Sequence, residues 1–264
     1  MNCPICQSKQ IFTFLKRQQV PIHQNMVILT EDVARNVVRG NLEIAICEHC
    51  GFVFNKAFDE SLLLYNEDYD NTQTCSPTFQ KYVNDLISYL VFNRGIKNKH
   101  ITEIGCGKGY FIKRLCQVGD NRGIGFDPSY VGPEKIFDGK LYFVKDYYSP
   151  DYKSEETDII VCRHVIEHIA KPVTLLNILR TTLKGFCEAK LFIETPCAEW
   201  ILSNKVFWDF FYEHCSYFSP SSLTTAVESS GFKVENLRHV FGGQYLWLEA
   251  INTIQYNTIQ YQFC

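Results

Sequence analysis

Ile101-Thr-Glu-Ile-Gly-Cys-Gly-Lys-Gly-Tyr-Phe-Ile-Lys-Arg-Leu115 decides the fold. A β-branched run ends in glycines and passes into a segment with helical apolar spacing (Phe111, Ile112, Leu115). That order predicts a strand, a tight glycine turn and a helix, the unit with which a doubly wound sheet takes hold of a nucleotide. Gly105, Gly107 and Gly109 carry no side chain to hold a ligand off the backbone. The helix N-terminus behind them favours negative charge. Beyond them a second strand, Gly123-Ile-Gly-Phe126, ends at Asp127, whose carboxylate is placed to accept both hydroxyls of a ribose. Glycine turns alone are common; the strand before and the acid after make this one specific for an adenosyl ligand.

From residue 101 onward strands alternate with helices. Strands are expected at 101–106, 121–127, 141–146, 158–163 and 189–195, which implies a mostly parallel sheet. Ser221–Ser230 reads as a helix capped by serine and ended at Gly231. Lys233–Phe241 and Gln244–Ile251 read as a closing antiparallel pair joined by Gly242-Gly243. The spelling Glu103-Ile-Gly-Cys-Gly-Lys-Gly109 resembles motif I of the class I S-adenosylmethionine (SAM) methyltransferases more than a dinucleotide dehydrogenase. Glu103 takes the acidic position of that motif, and no third glycine sits at dehydrogenase spacing. The resemblance implies a Rossmann-like α/β fold with a seven-stranded, mostly parallel sheet and an antiparallel last strand. It makes Glu103, Gly105, Gly107, Gly109 and Asp127 cofactor-binding candidates. It also implies Asp146 and Tyr147, after the third strand, beside the adenine. The segment after the fourth strand, from Arg163 through His164 and Glu167 to His168, would flank the methionine end of the cofactor.

Cys3-Pro-Ile-Cys6 and Cys47-Glu-His-Cys50 are two C-x-x-C knuckles, the spacing that sets four thiolates around a structural zinc ion. Gly51 supplies the turn after the second knuckle, and His49 within it is read as a spectator. The other eight of the twelve cysteines are scattered and read as small hydrophobes. Residues 1–70 therefore read as a small β-rich zinc-binding domain and 71–100 as a linker and helix, with helical spacing from Phe79 to Phe92. Residues 101–251 read as the methyltransferase domain, with an aromatic lid at 197–219. The tail, 252–264, repeats Asn-Thr-Ile-Gln-Tyr twice, too briefly for a solenoid.

The chain has 264 residues, 46% of them apolar and 14% aromatic, enough for a full core. A formal charge of −3 and a pI near 6.2 leave no footprint for nucleic acid. No apolar run reaches membrane-spanning length and no basic segment precedes an apolar one at the N-terminus, so a cytoplasmic protein with no membrane partner is expected.

The lid holds the densest aromatic run, from Trp200 to Phe218, and within it Phe211-Tyr-Glu-His-Cys-Ser-Tyr-Phe218. A histidine beside a carboxylate suits a general base, so His214 and Glu213 are read as a catalytic pair under an aromatic roof. His164 and His168, four apart, are read on one helix face; a second metal there lacks a carboxylate-histidine pattern to complete it. The knuckles, Tyr65-Asn-Glu-Asp-Tyr69, the SAM motif, His164-x-x-x-His168 and Glu213-His-x-x-Tyr-Phe-Ser219 together resemble the zinc-containing sugar C-methyltransferases, which act on nucleotide-linked keto-deoxysugars. The resemblance implies His214 as the base that takes the proton beside the ketone. It places Glu213, His168 and Tyr65 or Tyr69 around His214. Two departures stand against it: Phe211 occupies the lid position of a tyrosine, and the chain ends before the family's further C-terminal domain. A small sugar acceptor is the expected partner, with the oligomeric state left open. A zinc-bearing ribosomal RNA methyltransferase and a non-catalytic SAM-binding module are the competing readings.

Overall fold

The computed structural model describes residues 1–63, 65, 69, 72, 75–149, 152, 157–183 and 189–253. The repeated tail from residue 254, Cys187, and Asn66-Glu-Asp68 of the tyrosine segment lie outside the described residues. Strands β1 (Ile11–Pro21), β2 (Arg39–Cys47) and β3 (Val53–Asn55) come first, with a short helix α1 (Glu31–Arg35) between β1 and β2. Helix α2 (Pro77–Ser88) leads to β4 (His100–Ile104), α3 (Tyr110–Gly119) and β5 (Arg122–Phe126). Then follow β6 (Lys135–Ile136), β7 (Leu141–Val144), β8 (Ile159–Arg163), α4 (Pro172–Thr182) and β9 (Lys190–Pro196). Last come α5 (Ala198–Ser203), β10 (Ser216–Tyr217), α6 (Pro220–Ser229), β11 (Phe232–Val240) and β12 (Tyr245–Asn252).

The large sheet has the order β11-β12-β9-β8-β4-β5-β7-β6. β7, β5, β4, β8 and β9 are parallel, whereas β12 runs antiparallel to β9, β11 to β12, and β6 to β7. The central strands are buried on both faces, which is why Ile159-Ile-Val-Cys162 and Leu191-Phe-Ile193 read as unbroken apolar runs. The strand order reverses between β4 and β8, so their carboxyl ends open the crevice where a doubly wound sheet binds its ligand. The expected strands from 101 onward appear within two residues of their expected ends, apart from the small edge strand β6. α6 begins as the serine signal predicts, with Ser219 and Ser222 forming a reciprocal capping box.

The small sheet, β1-β2-β3-β10, takes its last strand from the lid, with Ser216 opposite Phe54 and Tyr217 opposite Val53. The expected aromatic roof is thereby corrected. Phe210, Tyr212 and Tyr217 are buried with Val20, Ile22, Leu42 and Ile44 in the core behind the small sheet. Phe207 and Trp208 face outward. Aromatic density announced burial without saying against which surface. Tyr212 passes directly over Gly40, where an added Cβ would meet its ring at 2.1 Å. Gly40→Val should therefore displace Tyr212 and lower stability by about 1–3 kcal/mol, read as a reduced urea midpoint with an unchanged slope.

Candidate functional site

A cleft of about 680 Å³ opens at the carboxyl ends of β4 and β8. Its floor is the glycine loop. Gly105 must lack a side chain because a Cβ there would meet Val165 at 2.1 Å. Gly107, at φ +53°, has nothing within 4 Å of its missing Cβ and presents bare backbone. Asp127 Oδ2 accepts from the Gly107 N–H at 2.7 Å, and its Oδ1 accepts from the N–H and hydroxyl of Ser129. A carboxylate has about four lone-pair sites, so one remains for a ribose hydroxyl where two were expected. Glu103 is buried below the loop and accepts from the Ile112 N–H in the first turn of α3. Burial pushes its carboxyl up to about 7, against the pull of Arg163. Asp146 and Tyr147 reach the cleft from beyond β7, with Asp146 accepting from the Tyr147 N–H.

Arg163 is anchored rather than free. Its Nε donates to Glu194, its guanidinium lies 4.3 Å from the centre of the Phe111 ring, and its Nη2 is buried without a hydrogen-bond partner among the described residues. Glu194, fully buried on β9, also accepts from the Tyr82 hydroxyl of α2 at 2.6 Å. Burial disfavours its charge, yet Arg163 and His164 hold it down to about 2. Burial likewise disfavours a charged His164, yet Glu194 and Glu167 hold it up to about 9. His164 sits in the left-handed region at φ +53°, and a single 3₁₀ turn (Ile166–His168) follows. The expected shared helix face of His164 and His168 is thus corrected: His164 turns to Glu194 and Tyr245, His168 to Tyr65 and His214.

At the far end of the cleft stand Tyr65, Tyr69 and His168. The Tyr65 hydroxyl lies 3.2 Å from His168 Nδ1, and the two tyrosine rings meet edge to face at 4.9 Å. Burial, then the charge of Glu213, raises both tyrosines and keeps them protonated. His214 packs against His168 at 4.9 Å between ring centres and against Phe211 at 4.0 Å, and its Nδ1 has no hydrogen-bond partner. Burial, with His168 and His164 nearby, holds it well below the ordinary histidine range and so neutral. Glu213 is not its partner, which corrects the expected pair. The Glu213 carboxylate meets His23 Nδ1 at 3.1 Å and accepts from the Gln24 N–H at 2.9 Å. The turn at Tyr212-Glu213 sends the adjacent side chains to different partners, so Glu213 closes the small-sheet seam while His214 packs behind His168.

The four knuckle thiols converge among buried apolar side chains, with Cys3 Sγ 3.6 Å from Cys50 Sγ and Cys6 Sγ 3.5 Å from Cys47 Sγ. A disulfide would need about 2.05 Å. A tetrahedron with 2.3 Å metal–sulfur bonds has edges of about 3.8 Å, so the donor set fits one zinc ion. His49 points to solvent. Of the other cysteines, Cys106, Cys116, Cys162, Cys197 and Cys215 are buried and Cys75 is exposed. Sequence reasoning missed His23, Tyr82 and Glu194. A glutamate inside the apolar run Leu191-Phe-Ile-Glu-Thr195 was a usable signal for Glu194; nothing local marked His23.

Residues 78–237 match the family described as methyltransferase domain. A tRNA U34 carboxymethyltransferase of Campylobacter hominis is 31% identical over 122 residues, 41% of this chain and 41% of that protein. The C-methyltransferase NovU of Streptomyces niveus is 22% identical over 258 residues, 94% of this chain and 60% of that protein. The matches thus span about half the length of these relatives. Among solved structures, the magnesium protoporphyrin IX methyltransferase of Synechocystis with bound SAH superposes at a TM-score of 0.52. It is 16% identical, and the match covers 67% of this chain and 84% of that one.

Proposed function

The chain belongs to the methyltransferase-domain family, SAM-dependent enzymes by class, and we propose that it moves the methyl group to a carbon or oxygen of a small acceptor, a sugar or nucleotide-linked sugar. The observation that carries this reading is the continuity of one cleft from the bare backbone of Gly107 to the Tyr65–His168 pair. SAM, when bound, supplies an electrophilic methyl group on its sulfonium. The glycine loop and Asp127 would hold the nucleoside, with Asp146 and Tyr147 against the adenine and Arg163 and Glu103 beneath. Holding donor and acceptor in line can lower the barrier by several kcal/mol.

His168 lines the cleft and is the imidazole positioned to take the acceptor's proton. His214 stands directly behind it, and Tyr65 and Tyr69 donate hydrogen bonds to acceptor oxygens. Glu213 shapes this wall from the seam. Transfer to carbon is supported by the match to the C-methyltransferase NovU, which covers 94% of this chain. The carboxymethyltransferase matches cover at most 54% of the chain, and a net charge of −3 gives little attraction for a tRNA phosphate backbone. We read the thiol cluster as a structural zinc site. Unpaired thiols throughout the described residues suit a reducing cytoplasm, and no helix among those residues is long and apolar enough to cross a membrane.

Asp127→Ala removes an acceptor both from Gly107 and from the ligand, and should weaken SAM binding by about 1–3 kcal/mol in a calorimetric titration. Gly107→Val should abolish that binding, because its side chain enters the cleft, and its left-handed φ of +53° should also lower stability, so circular dichroism must show a folded variant before the loss is read as a binding effect. Unchanged affinity in both variants would place the cofactor elsewhere.

With a nucleotide-sugar acceptor found by mass gain of one methyl, His168→Asn should reduce turnover at least about a hundredfold and spare SAM binding. His214→Asn should cost less. The reverse order would return the base to the lid.

Elemental analysis should find one zinc per chain. Stripping it with a chelator should unfold the small sheet, since structural zinc contributes on the order of 10 kcal/mol to folding. A folded, zinc-free protein would overturn the assignment.

A further inference from the structure

Glu167, His168 and His214 each bring one ligand atom to within 4.8 Å of the other two. The carboxylate missing from the histidine pair in the sequence is adjacent to His168, and the second imidazole arrives from the lid rather than from position 164. The three are also provided with the supporting contacts that metal ligands need. Thr195 donates to Glu167 Oε2, which fixes the buried carboxylate. The Tyr65 hydroxyl lies at His168 Nδ1 and leaves Nε2 as the coordinating nitrogen. His214 Nδ1 is buried without a hydrogen-bond partner. Ligand atoms around an ion with bonds of about 2.1 Å stand roughly 3.0–3.5 Å apart. Closing the set therefore takes movements of about 1–2 Å, within reach of two imidazole rotations about their Cα–Cβ and Cβ–Cγ bonds.

We propose that Glu167, His168 and His214 form a second metal site, separate from the knuckles, for a divalent first-row transition ion. Two imidazoles and one carboxylate suit zinc, cobalt, nickel or iron(II) and leave coordination positions open on the cleft side, which the half-buried His168 lines. The imidazolium of His164, its Nδ1 3.5 Å from Glu167 Oε1, tempers the pull of the set on a cation. A neutral imidazole has a single lone pair. An ion held here takes those of His168 and His214, so a loaded site and a proton-accepting His168 exclude each other. Binding itself does not depend on the methyl-transfer reading, and it is measured without turnover.

Cobalt(II) distinguishes the two sites. Thiolate coordination gives intense sulfur-to-metal absorption in the near ultraviolet, and an imidazole–carboxylate site gives weak visible bands alone. Cobalt chloride titrated into the zinc-loaded protein should build the weak visible bands to one equivalent, with no rise in the near-ultraviolet band. His168→Asn and Glu167→Gln should each weaken this binding at least tenfold, with circular dichroism matching the parent. Absence of visible bands at millimolar cobalt, or bands undiminished in His168→Asn, overturns the proposal. If Glu167→Gln fails to fold, the half-buried His168 decides alone.

Discussion

Two residues of strand pairing hold the site together. Ser216 and Tyr217 lie in register with Phe54 and Val53, and this ladder fastens the segment after β9 to a sheet built from the first 55 residues. Through it Glu213 reaches His23, Tyr212 covers Gly40, and His214 is carried to His168. The cleft therefore has one wall set by the large sheet and another set by the small one. Neither wall is complete within a single contiguous stretch of chain.

A second constraint lies beneath. Glu194 collects Tyr82 of α2 and the consecutive Arg163 and His164 at the end of β8 around one buried carboxylate. A charge so placed is tolerated because Arg163 and His164 are cationic and close, and removing either would leave the buried carboxylate undercompensated. The same cluster holds His164 in its left-handed conformation, and that turn sends His168 outward to the cleft. The Tyr65–His168 end of the cleft is thus oriented by electrostatics buried in the sheet.

The parts legible in the sequence are those in which chemistry and chain position coincide. The glycine turn, Asp127 one strand later, and the paired cysteines each draw their meaning from neighbours a few residues away. The strands of the large sheet were legible for the same reason, being uninterrupted apolar runs. What escaped depends on distant pairing. Glu213 and His214 are adjacent, and adjacency suggested cooperation, yet the turn at Tyr212-Glu213 sends them to different partners. The aromatic run promised a roof and instead supplied a core, because hydrophobic periodicity reports that a side chain is covered and not by what.

The register of β10 also sets an order in time. β3 emerges from the ribosome roughly 160 residues ahead of the strand that closes its edge. At ordinary elongation rates of about 5–20 residues per second, that edge stands open for about 10–30 s. An unpaired strand is a template for association with another chain. β3 is only three residues long. Brevity at the open edge is what lets a nascent chain wait that long for the strand that closes it.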